Sequence, residues 1–361
     1  MLRFLDSDGR GSYIVPNSWL TIESAKLLRA RVAPLIHSVL DLNYSVFQGV
    51  SMEPSIFVTE GQPSERPVSV ARVSTKEGFV TATTHDLDRH RWTHGDGRFT
   101  FTANNAAADV VRQSSSAAAT IGAVFDARTG LQAYERGKGN PPQSASDVKN
   151  HVFDRDKRQD SASFRYLQGG DVCRYQLKWS GMWMQYGPWL AQPREFSMFT
   201  RPRVLLREIT APFPRCLHAV FTDEAFLSNK SVLTVLHSND DREALFALVG
   251  ILNSKFTSHY YKQAAVKSSR RIFPKVVTKN LREFPFPKDP KATNTHTYKT
   301  LGSLTQTATE LHGQLPLART AHSAKVIERQ IAATDRKIDQ LVYELYGLTD
   351  DDIRVVEEAT A

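Results

Sequence analysis

The chain has 361 residues, of which 41% are hydrophobic and 23% are charged. That composition excludes a fully disordered or collagen-like chain, and the length favours two or three domains. Lys and Arg outnumber Asp and Glu by 46 to 38, so the net charge of +8 hints at a polyanionic partner. The two cysteines, Cys173 and Cys216, have neither disulfide-framework nor metal-site spacing, so we expect a reducing, cytoplasmic setting. No apolar run approaches the ~18 residues of a membrane helix.

The first elements predict an α/β fragment over residues 1–62. Residues 12–15, 36–42 and 55–59 have the composition of strands. A helix is predicted over 22–33, capped by Thr21 and with one apolar face formed by Ile22, Ala25, Leu28 and Val32. Strand, helix, strand is the order of a crossover in a mostly parallel sheet. Such a fragment cannot bury both faces alone, so later residues or another protein must supply the rest of the sheet.

Residues 63–120 predict an irregular insert or linker. Pro63, Pro67 and Gly78 interrupt regular patterns, and 103–119 is rich in Ala, Ser and Asn. One group of histidines and acids fits no zinc spacing, so we interpret it as part of a solvated loop: His85, Asp86, Asp88, His90 and His94.

The positive charge is concentrated in the middle of the chain. Residues 134–291 hold 26 Lys and Arg against 15 Asp and Glu, a net charge of +11, whereas the remainder has a net charge of −3. A basic central domain with near-neutral flanks is typical of nucleic-acid binding, the alternative being an ordinary solvated surface.

The elements of this basic region predict a mixed domain over 121–291. We expect strands at 121–125 and 203–209, with Arg203 and Arg207 on one side of the second strand and Glu208 on the other. The apolar pattern over 242–263 predicts one amphipathic helix with an inward face of Leu245, Leu248, Leu252, Phe256 and Tyr260. The last region, 292–361, is predicted to be helical and to pack back on the rest of the chain, because its apolar repeat is too short for a free coiled coil.

Two motifs fall short of catalytic signatures. Amino methyltransferases use an Asn/Asp-Pro-Pro-aromatic loop whose ring stacks on the flipped target base. Residues 140–143 read Asn-Pro-Pro-Gln, and Gln143 cannot stack, so we interpret this segment as a rigid turn in a basic loop. Gly137 and Gly139 are followed by Pro-Pro rather than by a helix, which does not fit an S-adenosylmethionine or nucleotide loop. We therefore assign no catalytic, cofactor-binding or metal-binding residue to the chain.

An aromatic and basic tract is the better functional candidate. Trp179, Trp183 and Trp189 are three of the five tryptophans, and arginines and lysines are interleaved with them. We expect most of these tryptophans to be core residues. The cations are the functional candidates, because contact with phosphate requires only exposure and positive charge.

Several segments in order resemble one family, namely bacterial DNA adenine-N6 methyltransferases of restriction–modification systems that have a TaqI-like C-terminal specificity domain. The segments are GSYIVPNSWL at 11–20, IHSVLDL at 36–42, GLQAYERGKGNPPQSASDVKN at 130–150, RYLQGGDVCRYQLKWSGMWMQYGPWLAQPR at 165–194, RPRVLLREI at 201–209, ALFALVGILNSKFTSHYYKQ at 244–263, FPKVVTKNLREFPFP at 273–287 and IDQLVYELYGLTDDDIRVVEE at 338–358.

The resemblance implies an α/β plus α+β fold: the last part of a methyltransferase-type Rossmann-like sheet, a target-recognition domain and C-terminal helices. In the family, the cofactor and Asn-Pro-Pro-aromatic motifs precede the segment that matches 11–20. The resemblance therefore implies recognition of double-stranded DNA together with a separate catalytic part that binds S-adenosylmethionine and methylates adenine, and no activity of this chain alone. The alternatives are an inactive truncated methyltransferase and a non-specific DNA-binding subunit of a defence complex.

The candidate DNA-contacting residues fall into two groups. Phosphate contacts are predicted for Lys138, Lys178, Arg270, Arg271 and Lys275, and Lys267 of the same basic loop as Arg270 is also predicted to bind DNA. Base-edge contacts are predicted for Gln168, Arg174, Arg194 and Arg207, with the alternative that Arg207 forms a structural pair with Glu208.

Overall fold

In the computed structural model, the contacts divide the chain into two units, Met1–Asn105 (unit 1) and Ala106–Ala361 (unit 2). The residues that the structure describes are 5–20, 22–42, 46–47, 54–76, 79–93, 99, 110, 119–264, 275–287 and 295–360. No helix within those ranges is both long and apolar enough to cross a bilayer.

Unit 1 is built around one five-stranded sheet with the order β1-β3-β2-β4-β5. Its strands are β1 (Arg10–Pro16), β2 (Ile36–Leu42), β3 (Pro54–Glu60), β4 (Val68–Lys76) and β5 (Phe79–Leu87). Only β2 and β4 are parallel, and the other neighbours are antiparallel. One face is covered by a cluster that includes Trp19, Val39 and Trp92.

The predicted strand, helix, strand order is present, but the sheet is mixed rather than mostly parallel. β3 lies between β1 and β2 and is antiparallel to both. The chain after β2 therefore returns as a hairpin partner, which separates the two strands that a simple crossover would place side by side. The structure shows a mixed α/β unit, and a Rossmann-like sheet is not confirmed.

The helix predicted over 22–33 is shorter than expected and buries a different face. A 3₁₀ turn at Glu23–Ala25 leads into α1 (Lys26–Val32). Leu28 was predicted to face inward but is 53% exposed, and Ile22 is also exposed. Arg29 is buried in its place, because its guanidinium donates to the backbone carbonyls of Trp19 and Ile22. The predicted cap, Thr21, lies outside the described residues.

The segment expected to be an irregular insert contains the longest hairpin of the chain's described part. β4 and β5 pair over nine residues each, and Val68 and Val70 are buried on either side of the partly exposed Ser69. This apolar alternation is a strand signal, and Pro63, Pro67 and Gly78 flank β4 rather than interrupt it. A short helix, α2 (His90–Thr93), follows. Most of 103–119 lies outside the described residues.

Unit 2 contains two four-stranded sheets with the orders β14-β13-β16-β7 and β15-β9-β12-β8, and two small pairs, β10-β11 and β17-β6. The first sheet is antiparallel, and in the second β15 and β9 are parallel. The strands are β6 (Ala119–Thr120), β7 (Phe125–Thr129), β8 (Asp154–Arg155), β9 (Ser163–Leu167), β10 (Val172–Cys173), β11 (Gln176–Leu177), β12 (Trp183–Gln185), β13 (Arg203–Arg207), β14 (Ala219–Thr222), β15 (Leu227–Ser228), β16 (Val232–His237) and β17 (Pro285–Phe286).

The prediction of a strand at 121–125 is wrong. Ile121–Val124 forms a single helical turn, α3, and the strand begins only at Phe125. A run of five apolar residues is compatible with either structure, and here the Ile121 amide donates to the Phe284 carbonyl at 2.9 Å. That tertiary contact starts the turn.

Helices cover the first sheet. The predicted helix over 242–263 is present as two helices, α5 (Arg242–Leu252) and α6 (Lys255–Ala264), preceded in the chain by α4 (Ala145–Asn150) and followed by α7 (Thr278–Glu283). Asn253 lies at the break because its side-chain amide pairs with both backbone groups of Ala219 on β14. The five residues predicted to face inward are all buried.

The C-terminal region is helical and packs back on unit 2, as predicted. It comprises α8 (Thr295–Gln314), α9 (Ala321–Leu345) and α10 (Asp350–Ala359). Ile338 and Val342 of α9 join the main core cluster with α5 and α6. The Thr349 hydroxyl caps α10, and Gly347 before it has a positive φ of 64°.

Candidate nucleic-acid interface

The cations of unit 2 separate into those that hold the fold together and those that remain available at the surface. Several arginines and lysines form ion pairs with carboxylates: Arg165 with Glu224, Arg174 with Asp335, Arg201 with Asp240, Arg215 with Asp339, Arg242 with Asp223, Lys255 with Glu357 and Lys275 with Glu208. Arg203 is fully buried, and its guanidinium donates to the backbone carbonyls of Arg201, Glu224 and Phe226. Burial lowers the pKa of Arg203 to about 10.

The carboxyl ends of β7, β9 and β13 meet around one turn, formed by residues 228–231. The Leu131 amide donates to the Ser228 carbonyl at 2.8 Å, and the Asn229 amide donates to the Leu167 carbonyl at 3.0 Å. The Glu208 amide donates to the Ser231 carbonyl at 2.9 Å. Three chain segments that are distant in sequence therefore end against the same turn.

Gly130 permits this close approach. A Cβ at position 130 would lie 2.2 Å from the Asn229 carbonyl oxygen and 2.3 Å from that of Ser228. Because both neighbours are backbone atoms, no side-chain rotation could relieve the contact. The sequence thus requires glycine where β7 meets the turn.

This convergence brings four residues to one turn, three of which were predicted. Gln168 follows β9, Arg207 ends β13, and Lys230 is on the turn itself. Arg194 is fixed beside them, because its guanidinium donates to the Gly130 carbonyl at 3.3 Å and to the Thr129 hydroxyl at 2.8 Å.

Lys178 is held near Gln168, because both residues form hydrogen bonds with Asp171. The backbone N–H of Gln168 donates to the buried Asp171 carboxylate at 2.8 Å, and the backbone N–H of Lys178 donates to the Asp171 carbonyl at 2.8 Å. We call Gln168, Lys178, Arg194, Arg207 and Lys230 the basic edge. All are exposed except Arg207, which is partly exposed. Among the described residues, none of its four cations forms an ion pair with a carboxylate.

The remaining predicted residues lie elsewhere. Arg174 is largely buried against Asp335 on α9, so it fastens the β10–β11 hairpin to that helix. The pair suggested between Arg207 and Glu208 is not formed, because Glu208 binds the Lys275 ammonium at 3.1 Å instead. Lys267, Arg270 and Arg271 lie outside the described residues.

Lys138 is exposed on a separate, rigid loop. Gln143 is buried beneath it, and its side-chain amide donates to the carbonyls of Ala133 and Trp189 at 2.8 Å each. Its carbonyl oxygen accepts from the Glu135 amide at 3.0 Å. Gln143 thus has a structural role where the methyltransferase motif has an aromatic ring, which confirms the predicted rigid turn.

Two of the three tryptophans of the aromatic tract belong to the core, as predicted. Trp179, Trp183 and Trp189 are all partly exposed, but Trp179 and Trp189 pack against core clusters, whereas Trp183 does not. Sequence reasoning missed Lys230, which occupies a Ser-Asn-Lys-Ser turn between two apolar strands. The polar residues of this turn predict that Lys230 is exposed, but they do not predict which residues from other segments lie beside it.

Neither a metal site nor a cofactor loop is evident in the described ranges. No group of three or more His, Cys, Asp or Glu side chains there is placed to hold a metal, and His94 of the histidine group lies outside them. Gly137 and Gly139 have positive φ values, but the chain continues from them into the Gln143 turn rather than a helix. These residues do not fit S-adenosylmethionine.

The comparisons with known proteins identify a domain within unit 2. Residues 164–286 match the TaqI-like C-terminal specificity domain. The resemblance predicted from the sequence is confirmed for that segment, which includes every residue of the basic edge. No curated protein gives a significant sequence match to the chain.

One solved structure of a restriction–modification enzyme has a fold similar to that of a larger part of the chain. The chain is similar to the type IIL restriction-modification enzyme MmeI in complex with DNA, with a TM-score of 0.59 and 12% identity over 98% of this chain and 50% of that one. The type IIG restriction endonuclease BpuSI matches with a TM-score of 0.40 and 10% identity over 96% of this chain and 48% of that one. The chain thus spans about half the length of these enzymes.

Proposed function

We propose that the domain over 121–291 is the DNA-recognition module of a restriction–modification adenine-N6 methyltransferase and acts with a separate catalytic part. The observation that carries this proposal is the basic edge: exposed cations without acidic partners converge on one turn inside the segment that matches a specificity domain. The DNA-bound state of the structurally similar MmeI supports a DNA ligand.

The chemistry of the basic edge suits both kinds of contact with a duplex. Lys178 and Lys230 are mobile point charges that suit phosphates. Arg194 is held by Thr129 and Gly130, and an oriented guanidinium can donate two hydrogen bonds to one guanine. The side-chain amide of Gln168, whose nitrogen is 3.1 Å from the Met182 sulfur, can form two hydrogen bonds with adenine. Arg207 and the loop cation Lys138 supply further phosphate contacts.

Unit 1 provides the surface for the catalytic part in this proposal. Leu27 and Leu28 on α1 are 86% and 53% exposed, and Tyr13 and Ile14 on the edge strand β1 are also exposed. Exposed apolar side chains and an edge strand, here the terminal strand β1 among the described strands of unit 1, favour association with another folded domain. That domain would extend the unit 1 sheet into a methyltransferase-type Rossmann-like sheet and bind S-adenosylmethionine, which supplies the methyl group.

Salt dependence tests the DNA-binding part of this proposal. We expect the affinity for duplex DNA to fall as salt rises, and each phosphate contact removed by Lys178→Ala or Lys230→Ala to reduce the log–log slope by about 0.9. Lys325→Ala, at an exposed cation on α9, is the matched control and should leave the slope unchanged. Binding that does not depend on salt would contradict the proposal.

Reconstitution of the complex tests the part of the proposal that concerns methyl transfer. The native complex should transfer methyl groups to adenine in DNA, and omitting this chain should abolish the transfer or its site selection. Full site-specific transfer without the chain would favour an inactive remnant. A requirement for the chain without any sequence preference would favour a non-specific DNA-binding subunit.

A further inference from the structure

A tryptophan lies on the outer face of the second four-stranded sheet. Trp183 is on β12, directly opposite Arg155 of β8 and Arg165 of β9. Met184, the next residue, points inward and is buried, whereas Trp183 belongs to none of the core clusters. Because side chains alternate along a strand, the indole ring and these two arginines share the outer face.

A further cation, Arg158, lies over the Trp183 ring. The guanidinium carbon of Arg158 is 6.0 Å from the ring centroid, at the outer limit of a cation–π contact. A planar ring inserted between two planar groups needs about 7 Å, twice the ordinary carbon contact distance. Arg158 is exposed on a loop, so a movement of about 1 Å would admit such a ring.

This slot adjoins the basic edge. Lys178 of the basic edge directly precedes Trp179, and the Gln168 side-chain nitrogen is 3.1 Å from the sulfur of Met182, the residue before Trp183, although the Met182 side chain itself packs against the inner cluster. Trp179 closes the side of the slot: its indole nitrogen donates to the Met182 carbonyl at 2.9 Å, and its ring meets Trp183 edge-on at 5.3 Å. DNA bound at the basic edge would therefore lie beside Trp183.

We propose that Trp183 and Arg158 form a binding slot for a nucleobase unstacked from the bound DNA. This inference rests on the proposed function. Indole and guanidinium planes both stack on bases of any sequence. A protein partner fits less well, because a stable interface needs about 800 Å² per partner. In addition, the exposed large apolar residues of the described part of unit 2 (Phe213, Leu317 and Val326) lie elsewhere.

The test compares the full chain's affinity for a duplex with one unpaired adenine and for the same duplex fully paired. The wild-type chain should bind the first more tightly and show quenching of tryptophan fluorescence. Trp183→Ala should lose that preference, weakening binding to the unpaired-base duplex by about 10-fold or more. Trp183→Phe should keep part of the preference, and Arg158→Ala should reduce it.

Phe213→Ala is the matched control, because Phe213 is an exposed ring that also carries a cation, Lys262 at 4.8 Å. It should leave the preference intact. An unchanged preference in Trp183→Ala with retained salt-dependent binding would overturn the slot alone. Absence of DNA binding by the wild-type chain would overturn both the slot and the proposed function. Trp183→Phe keeps the test valid if the alanine variant does not fold.

Discussion

The attachment of the C-terminal helices to the rest of unit 2 depends on a buried carboxylate. Asp339 on α9 is 4% exposed and accepts from the Arg215 guanidinium and, at 3.0 Å, from the Lys255 amide at the start of α6. Arg215 is itself mostly buried, and its next carboxylate, that of Asp335, is 3.8 Å away. Replacing Asp339 with alanine therefore leaves a buried guanidinium without its closest counter-charge.

The expected cost of Asp339→Ala is about 3 kcal/mol of unfolding free energy. Breaking one side of a buried ion pair costs about 3–5 kcal/mol, and we take the lower end because Asp335 remains near Arg215. Urea denaturation followed by circular dichroism measures the loss, and hydrogen exchange assigns it to unit 2. Asp351→Asn is the control, because its pair with Arg354 is exposed and worth less than about 1 kcal/mol.

A second variant separates charge from packing. Replacing Arg215 with Met and Asp339 with Leu together removes both charges and should recover most of the lost stability. A cost below about 1 kcal/mol for Asp339→Ala would refute the reasoning, since it would mean that Arg215 is solvated and the helices are held by apolar contacts alone.

Three further predictions follow from other contacts. Gly130→Ala should lower the melting temperature and weaken DNA binding, because its Cβ would meet the carbonyl oxygens of Ser228 and Asn229 at 2.3 and 2.2 Å; an unchanged melting curve would count against the crowded turn. Burial, with Arg207 and Arg174 nearby, lowers the pKa of His218 from 6.5 to about 4. The stability contributed by the neutral imidazole is complete above pH 6.5 and is lost as the pH falls towards 4, so the difference in stability between pH 7 and pH 4.5, measured by denaturation, should be smaller in His218→Asn than in the wild-type chain. Leu27→Lys should leave the melting temperature of the chain unchanged but weaken its co-purification with the catalytic part; equal recovery of the complex would remove Leu27 from that surface.

Local patterns predicted much of the helical structure. The inward residues of α5 and α6, such as Leu248 and Phe256, follow from helical periodicity, which is a property of neighbouring residues. The break at Asn253 does not, because it depends on a hydrogen bond to Ala219 in another strand. The mixed order of the unit 1 sheet was missed for a similar reason: alternation predicts that a strand forms but not which strand lies beside it.

The sequence predicted individual residues of the candidate site but not that they lie close together. Positive charge and the family resemblance identified Gln168, Arg194 and Arg207, but their meeting depends on the turn at 228–231. Arg174 shows the limit most clearly, because its partner Asp335 is 161 residues away, and no local pattern predicts an ion pair over that separation. Whether an individual cation is buried or paired depends on the tertiary structure, and a count of charges along the sequence gives no information about tertiary contacts.

Base-pair substitution in a selected binding site tests specific recognition most directly. Duplexes would be selected from random sequence by the native complex and then altered one base pair at a time, with affinities measured at constant salt. Recognition by the basic edge predicts a loss of about 1–3 kcal/mol for each wrong base pair at contacted positions, and relaxed preference at one position in Arg194→Ala. Equal affinity for every substituted duplex would contradict specific recognition.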